Sequence, residues 1–217
     1  MAIAGDNDIR TPTVAQQKRN ICRVKMHPEF NSRILDHDIA LLKLCQPMTL
    51  NEKVKTIKMG KTQNVDQVVT TAGWGKVIYK GNQTQHLMAV NLPIVENPTC
   101  QHSYRSYQAF NVRPWHICAG EGGKDACTGD SGGPLWITDE DPTLIGVVSF
   151  GQGCANPDYP GVYARISYYR DWIMANVPEL CNKTRCKYYA ADESISFETY
   201  WHKLNLLWSK KRDWLMS

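Results

Sequence analysis

The amino-acid sequence predicts an all-β protein built of short antiparallel strands, followed by one helix. Its apolar residues fall in short runs bounded by Gly, Pro and Asn, a pattern typical of strands. These runs cover residues 39–44, 68–71, 86–93, 144–150 and 161–166. A helical pattern then covers residues 168–177, where Trp172, Ile173 and Ala175 are expected to face a core and Pro178 to end the helix.

The composition indicates an ordinary globular chain that is long enough to bury a substantial core. Its 217 residues include 25 Lys and Arg against 21 Asp and Glu, and 42% of them are hydrophobic. The formal charge of +4 is small and the basic residues form no stripe, so no nucleic-acid partner is expected. No stretch approaches the roughly 20 apolar residues that cross a bilayer, so no transmembrane segment is expected either.

The cysteines indicate an oxidising, extracellular location. There are 8 of them, irregularly spaced and without a CxxC pair, which favours disulfides over a zinc cluster. Glycosylation sequons at Asn82 and Asn182 agree, so we expect a secreted glycoprotein. The residues after Met1 lack the basic segment and apolar run of an export signal. The chain is therefore expected to lack an amino-terminal segment.

A glycine-rich run at residues 124–134 carries the strongest chemical signal. Ser131 follows Gly129 by two residues and directly precedes Gly132 and Gly133. A tight turn with such small neighbours would let a substrate carbonyl approach the hydroxyl. The backbone amides of Gly129 and Ser131 can point at one oxygen, forming an oxyanion hole that stabilises the charge developed during acyl transfer. The run therefore predicts Ser131 as a nucleophile.

Four segments, in the expected order, resemble landmarks of the chymotrypsin-fold, trypsin-like serine proteases. They are residues 38–44 (DIALLKL), 71–75 (TAGWG), 129–134 (GDSGGP) and 161–163 (GVY). The resemblance covers about residues 5 to 177. It implies two six-stranded antiparallel β-barrels, the first incomplete, with a C-terminal helix. It also implies a serine endopeptidase that acts through an acyl-enzyme at Ser131 and needs no cofactor.

The resemblance assigns further roles. Asp38 would orient a catalytic imidazole, and Asp125 would form the floor of a pocket that selects Arg or Lys in protein and peptide substrates. Ala126 stands where many relatives carry a serine that helps to solvate an ammonium, so Arg is expected to be preferred over Lys. The other pocket residues implied are Ser149, Phe150 (in place of the usual Trp), Gly151 and Gly161.

Asp130 matches the residue that pairs with the freed amino terminus in active relatives. The resemblance also pairs Cys100 with Cys118 and Cys127 with Cys154, the latter bracing the pocket.

A third family bridge is absent, because Val69 and Ile137 stand where its cysteines would be. Two apolar residues there predict a repacked core contact. The remaining cysteines are less constrained. Cys22 and Cys45 flank neighbouring strands and are candidates for a pair. Cys181 and Cys186 either close a small loop, or one of them bonds another chain.

The family's catalytic histidine, in an Ala-Ala-His-Cys context upstream of the aspartate, has no match. His27 falls at an ordinary surface position of the family, His37 is expected to point away from Asp38, and Asp36 is expected to be a solvated turn residue. An Ile-Val-Gly-Gly-type amino terminus is absent too.

Three hypotheses follow: an incomplete product or isoform of an active protease; a pseudoprotease that binds basic peptides, proteases or their inhibitors; or a fragment that works beside a second chain supplying the histidine.

Three regions are expected: a remnant of the first barrel (1–60), the second barrel with its helix (61–180) and an extension (181–217). In the extension, Phe197, Trp201, Leu204 and Trp208 recur at helical spacing. This helix either packs on the domain, binds a membrane surface or a partner, or belongs to a non-native tail. No metal is predicted, because glutamines 16 and 17 stand where a calcium loop would need a second carboxylate beside Asp6.

Overall fold

A computed structural model describes residues 1–60, 67–107 and 110–177. Its amino-terminal part holds two hairpins and a short strand. Strands β1 (Ala2–Ala4) and β2 (Gln17–Arg19) pair with each other, as do β3 (Ile21–Met26) and β4 (Ala40–Leu44). Five of the six residues of β3 are exposed. The short strand β5 (Lys58–Met59) follows the two hairpins in the chain. It pairs in parallel with one strand of the barrel described next.

Six further strands close into a barrel. They are β6 (Val68–Gly73), β7 (Met88–Val95), β8 (His116–Ala119), β9 (Pro134–Ile137), β10 (Thr143–Phe150) and β11 (Gly161–Arg165). Antiparallel pairing runs from β6 through β7, β8, β11, β10 and β9 back to β6, which leaves no open edge in the ring. The predicted all-β architecture is therefore confirmed. The domain boundary at residue 60 stays a prediction.

Alternating side chains from the barrel strands fill its interior. Val69, Leu92, Leu135, Ile145 and Tyr163 are each 0% exposed and belong to one apolar cluster. Ile137 packs against the same cluster. The structure thus contains the repacked contact that Val69 and Ile137 predicted, in place of a disulfide.

Helix α1 (Asn97–Tyr104) precedes β8, and helix α2 (Ile166–Asn176) follows β11. The sequence does not predict α1, because its only buried side chains are Cys100 and Tyr104 and the rest of the helix is polar. The helix predicted at residues 168–177 is confirmed as α2, but Ala175 is exposed rather than buried.

The buried side chains of α2 are Ile166, Tyr169 and Ile173, spaced three and four residues apart on one helical face. They pack against Ile39 and Leu41 of the β4 region, so α2 joins the amino-terminal hairpin to the barrel. No helix of the described residues is long and apolar enough to cross a membrane.

Three disulfides lie within the described residues. Cys100–Cys118 ties α1 to β8, and Cys127–Cys154 ties the loop before β9 to the loop after β10. Both pairings are those that the resemblance implies. Cys22–Cys45 joins β3 to the residue after β4, which resolves the pairing that the sequence left open. Cys181 and Cys186, the Asn182 sequon and the predicted helix after residue 187 lie outside the described residues.

Candidate active site

Ser131 lies on a turn that the backbone fastens to β10. The N–H of Gly132 donates to the carbonyl oxygen of Val148 (2.9 Å), and the N–H of Val148 donates to that of Gly133 (2.9 Å). Gly132 has φ +82°, in the left-handed region where L side chains are strained. The turn therefore needs its glycine, and the two hydrogen bonds hold Ser131 against the strand end that carries Ser149.

The amides on either side of Asp130 are available to a ligand. Gly129 has φ +105°, and a Cβ there would collide with the side chain of Gln83 and lie 3.0 Å from Cα of Gly75. Within the described residues, the N–H groups of Gly129 and Ser131 donate to no protein acceptor, whereas that of Asp130 donates to the carbonyl oxygen of Cys127. This arrangement leaves the two predicted oxyanion-hole donors unpaired.

Asp38, two residues before β4, reaches the same strand end. The hydroxyl of Ser149 donates to Oδ2 of Asp38 (2.8 Å), and Ser149 is only 6% exposed. Since Ser149 directly follows Val148, a single stretch of β10 contacts both the Ser131 turn and Asp38. Asp38 and the Ser131 turn, which are far apart in the sequence, are thereby brought to one site.

Asp125 lies beneath two glycines. A Cβ on Gly161 would lie 2.7 Å from Oδ1 of Asp125, and one on Gly151 would lie 3.9 Å from its Oδ2. Any side chain at Gly161 would therefore occupy the space over the carboxylate. Ala126, which follows Asp125, brings no hydroxyl to this site.

The carboxyl group of Asp125 is short of partners. Its Oδ2 accepts the N–H of Ala155 at 3.2 Å, whereas Oδ1 is buried and has no hydrogen-bond donor among the described residues. Burial raises the pKa of Asp125 to about 7, more than its backbone hydrogen bonds lower it. A cation that reached Oδ1 would satisfy this oxygen and offset the cost of burying the charge.

The basic residue adjacent in sequence does not neutralise Asp125. Lys124 Nζ lies 2.5 Å from Oε1 of Glu121 and forms an exposed ion pair with it. Both residues line a shallow depression that is open to solvent, reaches Asp125 and is bounded by Gly120, Asn156 and Pro160. Lys124 is therefore paired with Glu121 and is not the partner of Asp125.

Tyr163 belongs to this pocket, although the sequence predicts no site role for it. Its hydroxyl would lie 3.2 Å from a Cβ on Gly161, and burial beside Asp125 raises the pKa of Tyr163 far above its usual value. The phenol thus stays neutral near the carboxylate. The hydroxyl of Tyr163 is buried and, like Oδ1 of Asp125, has no hydrogen-bond partner among the described residues. The GVY segment contains Tyr163, but the segment alone does not indicate that this hydroxyl lies near the Asp125 pocket.

Phe150 is 9% exposed and packs into an aromatic cluster rather than lining an open wall. Its ring stacks on Phe110 at a centroid distance of 5.2 Å and meets Tyr104 edge-on at 5.7 Å. The hydroxyl of Tyr104 donates to the carbonyl oxygen of Pro160 at 2.8 Å, next to Gly161. These contacts fix the backbone of β10 and the loop that flank the Asp125 pocket.

Asp130 is half-buried, and its carboxylate accepts hydrogen bonds from backbone amides. Oδ1 accepts the N–H of Gly75 (2.7 Å) and Oδ2 accepts that of Cys127 (2.9 Å). Gly73 and Gly75 have no room for a Cβ beside this carboxylate. Burial raises the pKa of Asp130 despite the two hydrogen bonds.

No histidine of the described residues contacts both Asp38 and the Ser131 turn. His86 faces Asp8 at 3.7 Å, His102 lies exposed on α1, and His116 is 1% exposed with its pKa lowered to about 4 by burial. His27 and His37 stack on each other and pack against Trp172 and Trp115 respectively. His202 lies outside the described residues.

Two expectations about this region are wrong. His27 is 9% exposed instead of lying on the surface, because its ring packs against Trp172 of α2. Asp36 is half-buried rather than solvated, since its Oδ1 accepts the indole N–H of Trp115 at 2.8 Å. As expected, His37 and Asp38 contact different groups: the hydroxyl of Tyr169 and that of Ser149.

Asp6 does not offer a free carboxylate to a cation. Its oxygens accept the backbone N–H and the hydroxyl of Thr13, and Oδ2 also accepts the side-chain amide of Gln16 at 2.5 Å. These hydrogen bonds lower the pKa of Asp6.

Comparison with known proteins gives consistent matches. The family model named Trypsin matches residues 1–173. Trypsin-1 of Astacus astacus is 41% identical over 180 residues, which cover 80% of this chain and 74% of that protein. Trypsin eta of Drosophila erecta is 40% identical over 156 residues, covering 70% of this chain and 58% of that protein. The vitellin-degrading protease of Bombyx mori is 39% identical over 159 residues, covering 71% and 58%. The chain thus spans between 58% and 74% of the length of these relatives.

Proposed function

This chain belongs to the trypsin family of serine proteases, and from that premise we propose that its site recognises an arginine side chain and, less well, a lysine side chain. The observation that carries the proposal is the buried, unpartnered Oδ1 of Asp125 beneath Gly151 and Gly161. A carboxylate at the bottom of a glycine-walled slot favours a long cationic side chain and disfavours a neutral one.

Arginine is a better ligand than lysine for the carboxylate of Asp125. Its planar guanidinium can meet a carboxylate with two parallel hydrogen bonds and is less strongly hydrated than an ammonium. Ala126 supplies no hydroxyl to replace the water that lysine would lose. One hydrogen bond to a charge is worth about 1.5–3 kcal/mol, so the preference for Arg should be roughly 10- to 100-fold.

The roles proposed for the remaining residues follow the same logic. Ser131 is the nucleophile, and the unpaired N–H groups of Gly129 and Ser131 bind the oxyanion of the tetrahedral intermediate. Asp38 would orient an imidazole that takes the proton from Ser131, wherever such an imidazole is supplied. Asp130, whose Oδ1 accepts the N–H of Gly75, is the acceptor for a freed amino terminus.

Peptides that differ only in their basic residue test the specificity. We expect labelled peptides ending in Arg to bind more tightly than those ending in Lys. Peptides ending in citrulline, the uncharged counterpart of Arg, should bind at least about 100-fold more weakly than those ending in Arg, since a buried carboxylate loses its charged partner. Ala126→Ser should narrow the difference between Arg and Lys. Equal affinity for Arg and citrulline would refute recognition by Asp125.

A second candidate function is binding without turnover. It is favoured by the absence, within the described residues, of a histidine that contacts both Asp38 and the Ser131 turn. A serine hydroxyl is a weak nucleophile without an adjacent base. In this case the pocket holds basic peptides, or inhibitors that present a basic residue, and the acyl-enzyme does not form.

Turnover separates the two functions. We expect the purified 217-residue chain to hydrolyse an arginyl ester no faster than Ser131→Ala, and a fluorophosphonate probe to leave Ser131 unlabelled. Ser131→Ala is the matched control, because it leaves the Asp125 pocket intact. Hydrolysis that disappears in Ser131→Ala would show that this chain has its own base.

We also propose an extracellular location. Three disulfides among the described residues are typical of an oxidising compartment. Asn82, in a glycosylation sequon, is exposed on the segment between β6 and β7.

A further inference from the structure

Three side chains with metal-ligating atoms meet on the loop between β3 and β4. They are His27, Glu29 and His37, and their ligand atoms all lie within 4.8 Å of one another. Both histidines are nearly buried, at 9% and 8% exposure, whereas the side chain of Glu29 is 70% exposed. The cluster therefore combines two ordered imidazoles with a carboxylate that is open to solvent.

The hairpin geometry explains why these residues meet. Beyond the last pair of the β3–β4 ladder, the N–H of His27 donates to the carbonyl oxygen of Ile39 at 3.0 Å. Asn31 and Asp36 then exchange two hydrogen bonds and close the loop. The chain thus returns with His37 opposite His27. Glu29, two residues after His27, lies on the same side of the loop.

His37 is held in a suitable orientation to present one nitrogen. Its Nδ1 lies 3.2 Å from the hydroxyl of Tyr169, and its ring stacks on Trp115 with a centroid distance of 4.2 Å. When Nδ1–H donates to Tyr169, the lone pair is on Nε2, which is the nitrogen that faces Glu29. An outer partner that fixes the tautomer in this way is a regular feature of histidine ligands.

The spacing between His37 and Glu29 fits two ligands of one ion. Nε2 of His37 lies 3.7 Å from Oε2 of Glu29. Zinc binds imidazole nitrogen and carboxylate oxygen at about 2.0–2.2 Å in tetrahedral geometry, which places neighbouring ligand atoms about 3.4 Å apart. A small movement of the exposed Glu29 side chain therefore completes the pair.

His27 must turn to become the third ligand. The two imidazole rings are almost parallel, at 9° and 4.8 Å between centroids, and parallel stacked rings cannot both aim in-plane lone pairs at one ion. The final torsion of a histidine side chain is soft. Turning the ring breaks a long hydrogen bond, in which the N–H of Glu29 donates to Nδ1 of His27 at 3.3 Å, and shifts the contact of the ring with Trp172.

From this arrangement we propose that His27, Glu29 and His37 bind one zinc ion, with water as the fourth ligand. Two imidazoles and one carboxylate are a ligand set that zinc accepts, and imidazole disfavours calcium and magnesium. The site is separate from the Asp125 pocket. It lies directly before Asp38, so a bound ion would rigidify the loop that presents Asp38.

Calorimetric titration of the chelator-treated 217-residue chain with zinc chloride tests the proposal. We expect one zinc ion per chain, no comparable binding of calcium, and the visible absorption of four-coordinate cobalt when Co²⁺ replaces zinc. Glu29→Gln removes the exposed ligand. His37→Asn removes a buried one and keeps a residue type that tolerates the φ of +48° at this position. Each variant should weaken zinc binding at least about tenfold.

His86 offers a matched control, because its Nδ1 also lies 3.7 Å from a carboxylate oxygen, that of Asp8, but no second histidine joins them among the described residues. His86→Gln should leave zinc affinity within about twofold. The proposal is overturned if Glu29→Gln binds zinc as tightly as the unmodified chain, or if His86→Gln accounts for the binding. If His37→Asn fails to fold, Glu29→Gln and the cobalt spectrum decide the question.

Discussion

At the scale of single residues, Asp125 has the environment that departs most from that of an ordinary carboxylate. Its Oδ2 accepts the backbone N–H of Ala155, and its Oδ1 is buried without a donor among the described residues. Desolvation raises its pKa to about 7, so the charge that recognises a cation is itself costly to maintain. This cost is recovered only when a cationic ligand binds.

The raised pKa of Asp125 makes ligand binding dependent on pH. Benzamidine stays cationic between pH 5 and 8 and binds the ionised carboxylate. The fraction of Asp125 that is ionised falls as the pH drops below about 7, so benzamidine affinity should decrease by roughly 100-fold between pH 8 and pH 5. Calorimetry at the two pH values measures this change, with uncharged benzamide as the control. An affinity for benzamidine that is the same at pH 5 and pH 8 would contradict the assignment.

The raised pKa of Asp125 also determines whether its contribution to the free energy of unfolding increases or decreases with pH. Between the ordinary carboxyl value near 4 and the folded value of about 7, the folded state holds a proton that the unfolded state has lost. The contribution of Asp125 to the free energy of unfolding therefore decreases as pH rises through this window. Benzamidine binding offsets that decrease.

The sequence predicts the site residues that lie in contiguous motifs. It does not predict the arrangements that form only when distant segments meet in the fold. Ser131, Asp125 and Asp38 are each readable from a short segment. The hydroxyl of Tyr163 beside Asp125, and the pairing of His27 with His37 on a loop backed by α2, depend on distant segments. The spacing of residues within one segment predicts neither arrangement.

At the scale of secondary-structure elements, short apolar runs bounded by Gly, Pro and Asn were sufficient to predict β4, β6, β7, β10 and β11. The strands β8 and β9 have only four residues each, too few to show a period. Helix α1 escapes prediction for another reason. It contains Pro98 at its start and is fixed chiefly by Cys100, whose disulfide anchors the helix to the barrel.

The bridge between Cys127 and Cys154 connects two loops that shape the Asp125 pocket, since the N–H of Ala155 is the donor to Asp125. Replacing both cysteines by alanine should lower the free energy of unfolding by about 3–4 kcal/mol, the chain-entropy estimate for a loop of this length. It should also weaken benzamidine binding. Peptide mapping without reduction should find the two cysteines linked.

Cys22 and Cys45 provide the control for this prediction. Their sequence separation of 23 residues is close to the 27 of the pocket bridge, so removing either bridge costs a similar loop entropy. Only the pocket bridge should affect benzamidine affinity. Free thiols at Cys127 and Cys154, or equal loss of affinity in both double variants, would be inconsistent with a bridge that supports the pocket.

At the scale of the whole molecule, a closed barrel carries the Ser131 turn and the Asp125 pocket, while a smaller hairpin region contributes Asp38. The contact between Ser149 and Asp38, together with the packing of α2 on Ile39 and Leu41, joins the two parts. Recognition of a cation needs only the barrel and its loops. Catalysis also requires an imidazole between Asp38 and Ser131, which the described residues do not place there.

The most direct test of this account is a calorimetric titration of benzamidine into the unmodified chain and Asp125→Asn at pH 8. Asp139→Asn is the matched control, because Asp139 is an exposed carboxylate between β9 and β10, outside the pocket. We predict saturable binding of one benzamidine per chain, unchanged affinity in Asp139→Asn and a loss of at least about 100-fold in Asp125→Asn, as expected when one partner of a buried ion pair is removed. Equal binding by Asp125→Asn and the unmodified chain, or no binding by the unmodified chain, would contradict a pocket built on Asp125.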